Sequence, residues 1–66
     1  MNSLLWLKLI RTEKGLTQQE VADMVGITRE QYNAYENGRV KPRDVMKHRV
    51  SEALDFDIKL WVKEGA

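Results

Sequence analysis

Apolar residues recur three and four positions apart along most of the chain, a spacing that indicates helices with one buried face. The first helix is predicted to begin near Ser3 and to end at Lys14, followed by Gly15 as a left-handed terminating residue. Leu7 and Ile10 are expected to face the core. This segment is therefore predicted to be an amphipathic helix.

A second apolar stripe lies on the outer side of the same helix, where Leu5 and Leu9 are four residues apart. A surface helix rarely carries such a stripe without a use. Three interpretations remain open: the C-terminal segment covers it, another subunit covers it, or it is exposed.

Two helix starts come next, and both carry the sequence of a capping box. Thr17 is followed three residues later by Glu20, and Thr28 by Gln31. In each box the threonine oxygen satisfies a free backbone N–H, and the later side chain reaches back to the threonine N–H. The sequence therefore predicts helices that begin at positions 18 and 29.

The turn between these helices contains Gly26, which can adopt the left-handed conformation that a tight turn needs. The first helix is expected to end at Val25 and the second at Asn37-Gly38. Helices joined by so short a turn cannot lie antiparallel, so they cross steeply. This arrangement is a helix-turn-helix unit over about 17–37, whose second helix is shaped to enter a DNA major groove.

The apolar positions of these two helices predict how they pack. Val21, Ala22 and Val25 are expected to be buried, since a small residue such as alanine lets two helices cross closely. Tyr32 and Tyr35, three residues apart, point at the preceding helix. We therefore assign the tyrosines to the core rather than to stacking on bases.

A fourth helix is predicted after a basic loop, with Pro42 in its first turn. Its buried face consists of Val45 or Met46, Val50, Ala53 and Leu54. The segment from Asp57 to Val62 stays ambiguous, because apolar residues alternate there with a period of two, as in a strand. Asp57 as an N-cap, with Ile58 and Trp61 three residues apart, supports a short fifth helix equally well.

The composition limits the kinds of protein that fit the chain. The chain has 66 residues, and residues 1–66 are expected to form a single domain. Because it contains no cysteine, it has neither disulfides nor a thiolate metal site. The apolar start is too short for a signal peptide or a membrane span, so a cytoplasmic protein is expected. No catalytic motif, cofactor loop or metal-ligand spacing is present, and His48 stands alone. We therefore expect neither an enzyme nor a cofactor.

Charge is unevenly distributed, although the net charge is only +1. Basic residues dominate the segment 39–49, and acidic residues dominate the segment after Arg49. The basic segment fits either a nucleic-acid backbone or an ordinary solvated surface, and charge alone does not decide between them.

Taken together, these residues resemble the phage-repressor and Cro type of helix-turn-helix domain, the lambda-repressor-like fold. The resemblance covers nearly the whole chain. It rests on these segments: Leu7–Arg11, Gly15–Ala22, Gly26–Thr28, Tyr35–Arg39, Pro42 and Ala53–Trp61. It implies an all-α, compact domain of four to five helices with the helix-turn-helix at its centre, and it favours a helix over 57–62.

Two positions depart from the family pattern. Asp55 stands where the family usually has glycine, so a left-handed residue there would carry a Cβ penalty, which aspartate tolerates better than most residues. Ala34 occupies a groove-facing position where a polar side chain is common.

The resemblance implies roles for individual residues. Base contacts are expected from Thr28, Arg29, Glu30, Asn33 and Ala34. Phosphate contacts are expected from Gln18, Asn37, Arg39, Lys41 and Arg43. Arg11 and Glu36 resemble a structural ion pair between the first and third helices. Candidates for a dimer interface are Leu60, Trp61, Val62, Leu5 and Leu9. Glu30 has a second interpretation, as a first-turn acid favoured by the helix dipole.

The function that the resemblance implies is a small bacterial or phage repressor that binds double-stranded DNA. Such a protein binds a palindromic operator as a homodimer. Two alternatives remain. The chain is either an antitoxin that also regulates its own gene, with the toxin or an antirepressor as protein partner, or a scaffold that has lost DNA binding.

Overall fold

The computed structural model describes residues 3–61 and has four complete helices in this range: α1 (Leu5–Glu13), α2 (Gln18–Val25), α3 (Arg29–Glu36) and α4 (Asp44–Leu54). A fifth helical segment begins at Lys59 and is described as far as Trp61. No strand occurs between residues 3 and 61. The all-α prediction is therefore confirmed.

Both capping boxes form as predicted. The N–H of Glu20 donates to Thr17 Oγ1 at 3.0 Å, and Thr17 N–H donates to Glu20 Oε1 at 2.8 Å. The equivalent distances between Gln31 and Thr28 are 3.1 and 2.9 Å. Gly26 is left-handed, with φ 80° and ψ 32°, so α2 ends where the sequence predicts. These local signals fix the start of α3 relative to α2.

The core is built around α2, which packs on both α3 and α4. The five largest fully buried side chains come from all four helices: Tyr32, Leu7, Leu54, Val21 and Val50. Tyr32 and Tyr35 meet edge to face with ring centroids 6.5 Å apart. Both tyrosines therefore belong to the core, as predicted.

An aromatic cluster of Trp6, Phe56 and Trp61 joins α1 to the C-terminal segment. The ring of Trp6 lies 5.4 Å from that of Phe56 and 5.1 Å from that of Trp61, measured between centroids. Trp61 Nε1 also donates to Ser51 Oγ at 2.9 Å. These contacts hold the end of the described chain against the body of the domain.

The C-terminal segment is helical rather than extended, which resolves the ambiguity left by its alternating pattern. Asp57 Oδ1 accepts from the N–H of Lys59 at 2.9 Å, and Asp57 O accepts from the N–H of Leu60 at 3.0 Å. Ile58 O accepts from the N–H of Trp61 at 3.1 Å. The side-chain cap therefore determines this element. Val62 lies outside the described residues.

The start of α4 differs from the prediction. Arg43 stays extended, with φ −71° and ψ 164°, so the helix begins at Asp44 and Pro42 lies before it. Pro42 is instead buried in the preceding loop. Between the two candidates for the buried face, Met46 packs on the core, whereas Val45 is 64% exposed.

The end of α4 agrees with the prediction at Asp55, whose backbone is left-handed at φ 56° and ψ 57°. It is the only residue other than glycine with positive φ in the described part of the chain.

Candidate nucleic-acid interface

The N-terminal end of α3 presents its side chains to solvent. Arg29 and Glu30 come directly after the capping residue Thr28, and their side chains are 54% and 80% exposed. Their nearest charged atoms are 4.0 Å apart. An exposed ion pair of this kind contributes only about 0–1 kcal/mol. Each of the two side chains can therefore leave the other and bind a different hydrogen-bonding partner.

The C-terminal end of α3 is held by a buried ion pair with α1. Arg11 Nε donates to Glu36 Oε2 at 2.6 Å, and Arg11 Nη2 donates to Glu36 Oε1 at 3.2 Å. Arg11 Nη1 donates to the backbone oxygen of Leu16 at 2.8 Å. The two charged side chains are only 9% and 5% exposed. The structure thus contains the ion pair that the resemblance implies. This pair holds the C-terminal end of α3 against α1.

The pair remains charged because hydrogen bonds outweigh desolvation. Burial raises the pKa of Glu36. The hydrogen bonds from Arg11 and Gln18, together with the neighbouring Tyr32, lower this pKa by a larger amount, so it lies below its ordinary value. The hydrogen bond to Glu36 raises the pKa of Arg11. Burial, followed by the nearby Glu36 carboxylate, raises the pKa of Tyr32 above its usual range. The Tyr32 hydroxyl is close to this pair, yet its geometry falls short of a hydrogen bond.

Three amide side chains continue from this ion pair toward the surface, and we call Gln18, Asn33 and Asn37 the amide chain. Gln18 Nε2 donates to Glu36 Oε1 at 2.9 Å, and Asn33 Nδ2 donates to Gln18 Oε1 at 3.1 Å. Asn37 Nδ2 donates to Asn33 Oδ1 at 3.1 Å. Asn37 Oδ1 then accepts from Arg39, from the backbone N–H at 3.2 Å and from Nε at 3.3 Å.

The amide chain brings together four of the predicted DNA contacts, Gln18, Asn33, Asn37 and Arg39, through hydrogen bonds that the sequence analysis missed. One signal for it was available, because Asn33 and Asn37 are four residues apart on one helix, where amide side chains commonly pair. The contact of Gln18 with Asn33 joins two helices, and no local spacing predicts it.

The predicted base contacts differ in accessibility. Thr28, Arg29 and Glu30 are exposed, and Asn33 is half-buried. Ala34 is only 8% exposed, and its backbone oxygen accepts from the N–H groups of the turn after α3. Among the predicted base contacts, the accessible side chains therefore lie at the capping residue and in the first turn of α3.

The predicted phosphate contacts beyond α3 are all exposed: Asn37, Arg39, Lys41 and Arg43. A cleft of about 250 Å³ lies beside the amide chain and is also lined by Lys8 of α1. Sequence reasoning did not single out Lys8, although it lies three residues before Arg11 and so on the same side of α1. Lys8 adds a positive charge next to the amide side chains.

The candidates for a dimer interface are placed in different environments. Leu5 and Leu9 are 60% and 57% exposed, and Leu60 is half-buried. Trp61 is only 5% exposed. The expectation that Trp61 lies in a dimer interface does not agree with the structure, because this side chain is already buried against Trp6 and Phe56 within the same chain.

Two further observations concern residues 3–61 only. None of the helices described there has the length and apolar composition that crossing a membrane requires. Across the same residues, no three side chains among histidine, aspartate and glutamate come together in an arrangement that would hold a metal ion.

Comparison with known proteins agrees with a helix-turn-helix domain. The helix-turn-helix family model matches residues 7–61. The chain is 41% identical over 59 residues to an uncharacterized HTH-type transcriptional regulator of Bacillus subtilis (strain 168), YqaF, in an alignment that covers 89% of this chain and 78% of that protein.

Two other relatives have similar names. An uncharacterized HTH-type transcriptional regulator of Methanothermobacter thermautotrophicus is 48% identical over 44 residues, covering 67% of this chain and 64% of that protein. An SPbeta prophage-derived uncharacterized HTH-type transcriptional regulator of Bacillus subtilis, YonR, is 53% identical over 36 residues, covering 54% of this chain and 33% of that protein. With a family match that begins within α1 and continues through α2, α3 and α4, the chain belongs to the Cro/C1-type helix-turn-helix family.

Proposed function

We propose that this protein is a sequence-specific DNA-binding transcriptional regulator, a small cytoplasmic repressor that binds a palindromic operator as a homodimer. The observation that supports this proposal best is the first turn of α3. There, Arg29 and Glu30 are exposed on a helix whose start and end are both fixed by hydrogen bonds. A helix held in this way can present side chains in the major groove with little loss of conformational freedom.

Arg29 is assigned the main base contact. Its planar guanidinium can donate two hydrogen bonds to O6 and N7 of a guanine, and one such pair discriminates by about 1–3 kcal/mol. Glu30 can accept from the N4 amine of a cytosine, and Thr28 can contact either kind of base. Asn33 and Ala34 have less accessible surface, so they add less to sequence recognition.

The phosphate contacts are assigned to the side chains that flank α3. Arg39, Lys41 and Arg43 are exposed cations in the segment after the helix. Gln18 and Asn37 each keep one amide hydrogen that is not used within the amide chain. Contacts of this type fix the register of the protein on the duplex but do not read its sequence.

A homodimer follows from the need to cover two half-sites about 34 Å apart, one turn of DNA. Leu5 and Leu9 form an exposed apolar pair on α1, and we assign them to the interface together with the half-buried Leu60. Occupying the operator would then exclude RNA polymerase. The same exposed pair favours a second candidate function, an antitoxin that binds its toxin through α1 and regulates its own gene.

Selection of bound duplexes from a random pool tests the proposed function. The regulator is expected to enrich one palindromic sequence, and its affinity should fall steeply with salt because bound phosphates release counterions. The absence of enrichment together with flat salt dependence would rule the function out. An antitoxin would enrich an operator and also co-purify with a second small protein, which Leu5→Ser should release.

A further inference from the structure

The side-chain hydrogen bonds of the amide chain all run in one direction, toward Glu36. A carboxylate can only accept hydrogen bonds, so Gln18 must present Nε2 to Glu36 and is left with Oε1 facing Asn33. Asn33 must then donate through Nδ2. The charge on Glu36 therefore dictates the orientation of an amide that it does not touch.

The same constraint passes through one more residue and reaches the surface. Asn33 turns Oδ1 toward Asn37, which donates through Nδ2 and so turns its own Oδ1 toward Arg39. Arg39 responds by donating through Nε and the backbone N–H. Its two terminal nitrogens make no hydrogen bond to the described residues 3–61, so this edge of the guanidinium is available.

We propose that Glu36 acts, through the amide chain, as a positioning residue that orients the guanidinium of Arg39 for a two-pronged contact with one DNA phosphate. This proposal rests on the proposed function. With Nε held by Asn37, the edge formed by Nη1 and Nη2 matches the spacing of two phosphate oxygens. Because the side chain is oriented before DNA binds, less rotamer freedom is lost on binding.

A double-mutant cycle on DNA binding tests the proposal. Gln18 and Arg39 are separated by two amide side chains, so the loss caused by Arg39→Ala depends on Gln18 only if orientation passes along the amide chain. The quantity compared is the factor by which Arg39→Ala weakens DNA binding. We expect this factor to be at least about 3-fold smaller in Gln18→Ala protein than in wild type, which corresponds to the loss of one hydrogen bond. Independent sites would give equal losses to within about 2-fold, and that result would overturn the proposal.

Lys41 provides the matched control for this cycle. It is also an exposed cation after α3, but no hydrogen bond joins its side chain to the amide chain within the described residues. The cycle of Gln18→Ala with Lys41→Ala is expected to be additive. Any phosphate contact that Gln18 itself makes enters both cycles equally and cancels. Asn33→Ala replaces Gln18→Ala in the same design if the latter fails to fold.

A measurement without DNA separates this proposal from the proposed function. In the free protein, Gln18→Ala should shift the NMR signals of the Asn37 side-chain amide and of Arg39 Nε–H. Gln19→Ala, which removes only the neighbouring bond to Asp23, should leave both signals in place. Unchanged signals in Gln18→Ala protein would overturn the orientation step. Shifted signals in a protein that binds no duplex would overturn the phosphate contact together with the proposed function.

Discussion

The two ends of α3 each carry an arginine–glutamate pair, and the two pairs are built in opposite ways. At the C-terminal end, Arg11 and Glu36 lie 2.6 Å apart with side chains 9% and 5% exposed. At the N-terminal end, Arg29 and Glu30 lie 4.0 Å apart with side chains 54% and 80% exposed. The same two residue types therefore serve as a fixed point in one place and as free hydrogen-bonding groups in the other.

This difference arises from the surroundings of each pair. Glu36 also accepts from Gln18, and Arg11 also donates to the backbone at Leu16, so the buried charges are satisfied on several sides. Burial without these bonds would cost several kcal/mol per ion. Arg29 and Glu30 are exposed to solvent, and in the proposed function DNA takes the place of that solvent. The buried pair thus anchors the helix whose other end carries the exposed pair.

The largest effect is expected from breaking the buried pair. Glu36→Ala leaves the guanidinium of Arg11 buried without its partner, which should lower the free energy of unfolding by about 3–5 kcal/mol. Glu30→Ala is the matched control and should change it by less than about 0.5 kcal/mol. Chemical unfolding followed by circular dichroism measures both. Equal effects of the two variants would remove the distinction between the pairs.

A smaller effect, on binding rather than on folding, is expected at the exposed pair. Arg29→Ala should reduce the preference for the operator over an unrelated duplex by about 1–3 kcal/mol and leave the unfolding midpoint unchanged. Lys41→Ala should instead weaken binding to all sequences alike. It should also reduce the slope of the logarithm of the binding constant against the logarithm of the salt concentration by about one unit. Competition titrations at several salt concentrations distinguish these outcomes. If the two variants behave alike, base contacts and phosphate contacts have been assigned wrongly.

Acid should weaken the buried pair. The pKa of Glu36 is lowered in the folded protein, so the stability that this carboxylate contributes is fully present above the ordinary pKa of an unfolded glutamate. It is lost as the pH falls from there through the folded pKa. Urea unfolding between neutral pH and pH 3 should therefore show a steeper decline in wild type than in Glu36→Gln protein. Identical slopes would mean that the Glu36 carboxylate gains nothing from its partners.

The smallest effect is expected at Asp55, which lies in neither pair. Its left-handed backbone carries a Cβ penalty that glycine avoids, so Asp55→Gly should raise the free energy of unfolding by roughly 0.5–1 kcal/mol. Gly26→Ala is the opposite change at another left-handed helix end and should destabilise the protein. Thermal unfolding measures both. Operator preference should stay the same in Asp55→Gly protein, since the side chains of α3 are untouched.

Sequence reasoning succeeded where the signal is local. Thr17 and Thr28 are each separated from their capping partner by only three residues, so the limits of α2 and the start of α3 were predictable. The period of two after Phe56 did not identify the last element, because the hydrogen bond from Lys59 to Asp57 decides it.

The misses concern contacts between distant segments. From sequence alone Trp61 is a candidate for a dimer interface, because sequence does not show that Trp6 and Phe56 already cover it. The amide chain was missed for the same reason, since Gln18 meets Asn33 only after α2 and α3 have packed. The family pattern predicts candidate contact residues, whereas the hydrogen bonds that join some of them are visible only in the structure.

The most direct test of the central claim, that the exposed end of α3 reads a base, is a cycle between Arg29 and a guanine of the selected operator. The guanine is replaced by 7-deazaguanine, which lacks the N7 acceptor. Wild-type protein should lose about 1 kcal/mol or more of binding free energy on the modified duplex, whereas Arg29→Ala protein should bind both duplexes equally. An equal loss for the two proteins at every guanine of the operator would contradict the claim.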